Sequence, residues 1–218
     1  MKFGWRRQRV EAQRRERNGA QSISLTIVCT DVVDFTRITE RLGDGAAFEV
    51  MQRLAVIVRR ETRRYGGKEL ELQGDGFLLG FSSPAGGVAA AVSIQRELER
   101  TPIPAGDSAL RMRIAAHTGS VLRDSATDNF FGANMIVPYR LLDRTSGGEI
   151  VLSSELRAHV EHQWALGPIS EFIAKGFSRA LHFCHLEWSS PGEFTSALAL
   201  AEAETSAPRG RHAVPHAA

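Results

Sequence analysis

The sequence lacks the features that mark several large classes of protein. It has two cysteines among 218 residues, Cys29 and Cys184, in apolar runs without a metal-ligand spacing, so we expect buried free thiols. No run of about 18 apolar residues occurs, which argues against a membrane span. The first ten residues, MKFGWRRQRV, lack the apolar stretch of a signal peptide. We therefore expect a cytoplasmic protein.

The chain also has little net charge, and that charge is unevenly distributed. The formal net charge is +2, yet residues 2–19 are rich in arginine and nearly devoid of large apolar side chains after Val10. The remainder carries no excess charge that calls for a nucleic-acid partner. A contact of the basic segment with nucleic acid or an acidic membrane stays open as an alternative. We predict a basic N-terminal arm over residues 1–21, one globular domain over 22–188 and a disordered tail over 189–218.

Strand-like and helix-like patterns alternate within the domain. ISLTIVCT is an apolar, β-branched run of strand length that stops at Asp31, and apolar residues from Phe48 to Val58 recur at helical spacing. LELQ and FLLGF flank Gly74-Asp75-Gly76, a sequence typical of a tight hairpin turn. Further segments predict a helix over 86–99, the strand RMRIAAHTG, a helix over 133–145 and the strand EIVLSS. This β-α-β-β-α-β order predicts an α+β, ferredoxin-like sheet with helices on one face and additional C-terminal strands.

Two aspartates are expected to lie close together in this arrangement. Asp31 ends the first strand, and Asp75 lies at the tip of the hairpin predicted to pair with it. Paired carboxylates hold divalent metals, and two metals about 3.5–4 Å apart serve phosphoryl transfer. On spacing alone, a capping aspartate and a turn aspartate are the simpler explanation.

Local sequence motifs favour the metal site. TDVVDFT surrounds Asp31, LQGDGFLLGF surrounds Asp75, and RIAAHTGSV precedes a segment ending in NFFGANMIVPYRLL, followed by GGEIVLSS and AKGFS. Together these motifs resemble the catalytic domains of class III adenylate and guanylate cyclases, in the same order, over about residues 23–187. The resemblance implies the nucleotide cyclase fold. It also implies conversion of ATP or GTP into the 3′,5′-cyclic nucleotide and pyrophosphate.

The resemblance further implies a metal site for two ions, Mg²⁺ or Mn²⁺. Asp31 and Asp75 match the two metal-binding aspartates of that family, and the main chain at Val32 would donate a third ligand. The ribose 3′-oxygen would attack the α-phosphorus without a covalent enzyme intermediate. Positioning and charge stabilisation would then supply most of the acceleration.

Other residues would contact the substrate. Arg140 matches the arginine that steadies the triphosphate in the transition state, and Lys175 matches a lysine that reaches the phosphates; both are catalytic candidates. Phe35 and Thr36, which follow the metal-binding turn, are candidate substrate-binding residues. In that family the site lies between two subunits, so a head-to-tail homodimer is implied.

Two positions bear on the choice of base. Glu71 lies four residues before Asp75, where adenylate cyclases carry lysine and guanylate cyclases carry glutamate. A carboxylate accepts from both the N1–H and the exocyclic amine of guanine, which favours GTP. The second purine-reading position is Asn129, which matches neither kind of cyclase, so the choice between ATP and GTP stays open.

Three further positions qualify the expected activity. Ile136 replaces the family asparagine that contacts the ribose, and Asp34 replaces a glycine in the phosphate-facing turn. His117 matches a structural position rather than a general base. We therefore predict a slow cyclase, with a catalytically degenerate, dimerising and nucleotide-binding module as the alternative. An RNA-binding module is disfavoured because the strands lack the exposed aromatic pairs that stack bases.

Overall fold

The computed structural model describes residues 20–189; the predicted tail from residue 190 and all but the last two residues of the predicted arm lie outside that range. The strands are β1 Ala20–Val32, β2 Gly67–Gln73, β3 Gly76–Phe81, β4 Pro104–Ala105, β5 Ser108–Ala109, β6 Met112–Asp124, β7 Phe130–Phe131, β8 Ile150–Ser153, β9 Ser170–Ile173 and β10 Ala180–His185. The α-helices are α1 Phe35–Leu42, α2 Asp44–Arg64, α3 Pro84–Arg100, α4 Val137–Leu142 and α5 Ser154–Val160, and a 3₁₀ turn spans Ala133–Met135.

One mixed sheet organises the domain. Its strand order is β2-β3-β1-β6-β8-β10-β9, with β7 paired to β6, and β4 and β5 form a separate small hairpin. β1 and β6 pair antiparallel along their whole lengths, while β6 and β8 are parallel. β1 and β6 are thus the central strands from which the site residues project.

Both faces of the sheet are buried, as the continuous apolar run in β1 predicts. One face packs against α2, α3 and α5 around residues such as Val28, Leu79 and Ile114. The opposite face carries α4, which packs on Ile27 and Cys29 of β1. The predicted α+β class and the concentration of helices on one face are confirmed, and the short helix α4 is the addition on the other face.

Local signals account for the helix boundaries. The Ser83 hydroxyl accepts a hydrogen bond from the Gly86 N–H at 3.2 Å, and Pro84 opens α3, which is a favoured N-terminal arrangement. The predicted helix over 133–145 divides into the 3₁₀ turn and the shorter α4. Phe48 follows the helical spacing of the apolar residues in α2, yet its side chain is 64% exposed. No helix within residues 20–189 is both long and apolar enough to cross a membrane.

Candidate functional site

The β2–β3 turn brings Asp75 beside Asp31. The Phe77 N–H donates to the Thr30 hydroxyl at 3.0 Å, and a Cβ placed on Gly76 would come within 2.6 Å of the Thr30 carbonyl oxygen. Only a glycine allows this close contact between the turn and the end of β1. The two carboxylates predicted to pair are therefore neighbours.

The electrostatics of Asp75 reflect that neighbour. Burial, and then the charge of Asp31, raise the pKa of the Asp75 carboxyl. The N–H groups of Asp75 and Val32 donate to this carboxylate and act in the opposite direction. The structure thus holds two like charges close together at the end of β1.

Arg113 is a site residue that the sequence interpretation missed. It is the cross-strand neighbour of Asp31 in the β1–β6 pairing, and its Nη2 and Nε lie 2.6 Å and 2.8 Å from Asp31 Oδ2. Its Nη1 also donates to the Leu142 carbonyl at 3.3 Å, at the end of α4. A register between the first strand and RMRIAAHTG would have revealed the pair, but neither strand alone indicates it.

The donor set suits a hard divalent cation. Within residues 20–189 no group of three or more histidine, cysteine, aspartate or glutamate side chains could hold a metal ion. Mg²⁺, however, commonly takes only one or two carboxylates and completes its shell with water and substrate phosphates. Burial and then the charge of Asp31 raise the pKa of Asp75, and a bound dication would favour its charged form against both. The carboxylates of Asp31 and Asp75 therefore fit the implied ions, and the third ligand at the Val32 main chain stays an expectation of the resemblance.

Glu71 and Asn129, the two candidate base-reading residues, line one cavity of about 410 Å³. The loop that carries Asn129 is held against β2 by an ion pair between Lys68 and Asp128, whose Nζ and Oδ2 are 2.6 Å apart. The Lys68 ammonium also lies 5.0 Å from the centre of the Phe130 ring. Glu71 and Asn129 are both exposed, so their side chains face a space open to a ligand.

The turn after β1 contains the remaining early candidates. Asp34 adopts the left-handed conformation, with φ 56 and ψ 31, at the position where the resemblance leads one to expect glycine. Phe35 is half-buried and opens α1, and Thr36 is exposed beside it. Asp34 lines a neighbouring cavity of about 400 Å³ that Arg37 also lines.

Arg140 lies on α4, on the less covered face of the sheet. Its side chain is half-buried, and its Nε is buried without a hydrogen-bond partner among the described residues. Ile136, immediately before α4, is 45% exposed. An apolar side chain thus lies beside the arginine, at the position where the resemblance to cyclases leads one to expect an asparagine.

Lys175 is distant from the carboxylates along the sheet. It is exposed in the connection between β9 and β10. β10 runs antiparallel to β8, and β8 begins beside the start of β6, the end at which Asp31 pairs with Arg113. The β9–β10 connection therefore lies at the opposite end of the sheet. A single chain does not bring Lys175 to the acidic pair.

Comparison with known proteins identifies the fold. No model of a protein family matches the chain. A curated relative, the serine/threonine-protein kinase pkn2 of Myxococcus xanthus, is 26% identical over 132 residues, which are 60% of this chain and 16% of that protein. The match thus spans about a sixth of that relative's length.

Solved structures match a larger share of the chain. The adenylyl cyclase CyaB from P. aeruginosa has a TM-score of 0.70 at 19% identity, covering 79% of this chain and 97% of that one. The guanylyl cyclase Cya2 gives 0.72 at 22% identity, with 79% and 96% covered. The guanylate cyclase domain of RhGC from Catenaria anguillulae, solved in complex with GTP, gives 0.68 at 16% identity, with 76% and 97% covered. This protein therefore has the fold of the catalytic domains of adenylyl and guanylyl cyclases, as its sequence motifs predict.

Proposed function

We propose that the chain is a purine nucleotide cyclase domain. It would convert ATP or GTP into the 3′,5′-cyclic nucleotide and pyrophosphate, with two divalent ions, at the interface of a homodimer. The observation that carries this proposal is the neighbouring pair Asp31 and Asp75 at the end of the central strand of a cyclase fold. Similar structures include cyclase domains bound to GTP and to ATPαS.

Each protein group has a definable role in this reaction. Mg²⁺ or Mn²⁺ ions, when bound by Asp31, Asp75 and the Val32 main chain, supply positive charge that favours attack by the ribose 3′-oxygen and departure of pyrophosphate. Arg113 orients the Asp31 carboxylate through two hydrogen bonds to one oxygen. Arg140 offers a guanidinium with an unsatisfied N–H to the charge that develops on the triphosphate.

The same arrangement favours a dimer. Lys175 lies at the end of the sheet opposite Asp31, so both residues can serve one substrate only if two chains combine. Phe131 and Ile136, which flank the 3₁₀ turn before α4, are 56% and 45% exposed, and a partner would cover them. A head-to-tail homodimer would set the acidic end of one chain against the segments that carry Arg140 and Lys175 in the other.

The deciding experiment is product formation by the purified protein. ATP and GTP are tested separately, each with Mg²⁺ and with Mn²⁺, at a concentration where light scattering shows the dimer. The matched control is Asp31→Asn, which keeps the size of the side chain and removes its charge. Cyclic nucleotide that disappears in the control supports the proposal. Its absence under all four conditions, with the dimer present, contradicts it.

A second candidate is a nucleotide-binding module without turnover. Ile136 favours it, because an exposed isoleucine beside Arg140 cannot donate the hydrogen bond that an asparagine would make. Calorimetric titration with ATP and GTP separates the candidates. Binding without product favours the module, whereas product that is lost in Asp75→Ala excludes it.

A further inference from the structure

His117 is a buried histidine whose two ring nitrogens both have hydrogen-bond partners. Its side chain is 3% exposed, Nδ1 lies 2.8 Å from the Ser153 hydroxyl, and Nε2 lies 3.0 Å from Asn134 Oδ1. The Ser153 oxygen already accepts the Leu156 N–H at the start of α5, so its own hydrogen is free to point at Nδ1. The ring is then neutral and donates from Nε2 to Asn134. Burial lowers the pKa of His117 and favours this neutral form, outweighing the opposite influence of the Asn134 hydrogen bond and of the Glu155 carboxylate, whose Oε2 lies 3.7 Å from Nδ1.

Asn134 uses both ends of its amide in the same place. While Oδ1 accepts from His117, Nδ2 donates to the Ser120 carbonyl at 2.8 Å. A Cβ placed on Gly119 would come within 2.6 Å of this amide, so the strand has room for it only because that residue is glycine. One side chain thus joins the 3₁₀ turn to two points on β6.

The joined segment leads directly into the helix that carries Arg140. The Ala133–Met135 turn passes into α4 through Ile136, whose carbonyl accepts the Arg140 N–H at 3.2 Å. α4 spans only Val137–Leu142, less than two turns, and so short a helix has little stability of its own. Its orientation therefore depends on its packing against β1 and on what holds its two ends.

We propose that His117 and Asn134 act as positioning residues that clamp the start of α4 to β6 and thereby set the place of Arg140. At the other end, Arg113 bonds to the Leu142 carbonyl while it holds Asp31. The inference rests on the proposed function insofar as Arg140 acts on the triphosphate. The clamp itself does not, and it is testable without turnover.

Amide hydrogen exchange tests the clamp directly. We expect His117→Ala to speed exchange in residues 133–142 by about tenfold, the effect of losing its hydrogen bond to Asn134. Asn134→Ala loses both hydrogen bonds of its amide and should speed exchange there at least as much. His117→Gln keeps a donor near the position of Nε2 and should restore most of the protection. The β2–β3 hairpin should be unchanged in all three variants. Unchanged exchange in 133–142 would overturn the clamp.

Gln95→Ala is the matched control for general loss of stability. Gln95 is also a buried amide, 4% exposed, and its Nε2 donates to the carbonyls of Met112 at 2.9 Å and Glu149 at 3.3 Å. These hydrogen bonds do not involve His117 or Asn134, so removing Gln95 should destabilise the domain without selectively loosening 133–142. If Gln95→Ala loosens that segment as much as Asn134→Ala does, the clamp has no specific role.

Kinetics test the consequence for Arg140. Because the arginine is expected to act in the transition state, Asn134→Ala should lower kcat by about tenfold or more while KM changes little, and His117→Gln should recover most of kcat. If the wild-type protein forms product and Asn134→Ala has the same kcat, the positioning role is refuted while the proposed function stands. A wild-type protein that forms no product refutes the proposed function instead, and exchange still decides whether the clamp exists.

Discussion

Asp34 combines a left-handed backbone conformation with a carboxylate that would lie near the triphosphate in the proposed reaction, and replacing it should relieve both the strain and the repulsion. Its φ of 56 and ψ of 31 lie in the left-handed region, which costs an L-residue about 1–2 kcal/mol, less for aspartate than for most. Glycine adopts this conformation freely but loses more chain entropy on folding, by about 0.4–1 kcal/mol. Asp34→Gly should therefore stabilise the domain by about 0.5–1 kcal/mol, which corresponds to about 1–4 °C in Tm for a domain of this size.

The Asn variant separates strain from charge. Asparagine tolerates the left-handed conformation and is neutral, so Asp34→Asn should leave Tm nearly unchanged. Both variants remove a carboxylate three residues from Asp31, and both should lower KM for the metal–nucleotide complex. Thermal unfolding and initial rates measure the two effects. A lower Tm for Asp34→Gly would refute the strain argument, and an unchanged KM in both variants would show that the Asp34 charge does not act on the substrate.

Three further changes have defined outcomes. Ile136→Asn should raise kcat by about 10²–10³, the contribution of one hydrogen-bond donor directed at developing charge. It should change stability little, because residue 136 is 45% exposed. Ile136→Ala is the control, and equal rates in the two variants would contradict this role for the asparagine. Asp75→Asn should abolish activity yet raise Tm at pH 7. Because the folded pKa of Asp75 is raised, its charged form destabilises the fold above that pKa, so the difference in Tm should shrink as the pH falls through it; a constant difference across pH would contradict this. Glu71→Lys should shift the ratio of kcat/KM for GTP over ATP towards ATP without affecting folding, and an unchanged ratio would show that Glu71 does not read the base.

The fold was largely predictable because its signals are local. ISLTIVCT ends abruptly at a charged residue, and the Gly-Asp-Gly turn needs no distant partner to be recognised. Phe48 shows that such local signals do not predict how deeply a side chain is buried. Helical spacing identifies an apolar face, but the width of the buried stripe depends on which elements cover it, and nothing packs fully over this position.

The site was predictable only where a motif names the residue. Asp31 and Asp75 follow from the motifs and from the hairpin that joins them. Arg113 required the register of two strands, because it lies 82 residues after Asp31 in the chain. Asn134 required knowledge of which way its side chain points, since the same amide on the surface would have been a candidate for the missing ribose contact.

That orientation bears on whether the neighbouring amide compensates for Ile136. Asn134 lies two residues before Ile136, and a small shift of the turn would seem enough to carry its amide to the site. Both ends of the amide are engaged, however, with His117 and with the Ser120 carbonyl, and leaving them would unmake two hydrogen bonds that hold α4. If Asn134 moved to supply the contact that Ile136 cannot make, the start of α4 would lose its attachment and Arg140 would be displaced. For this reason we expect Ile136→Asn to restore rate only while Asn134 is intact, so that the double variant Ile136→Asn with Asn134→Ala is slower than Ile136→Asn alone. Equal rates in the single and double variants would mean that Asn134 holds nothing the reaction needs.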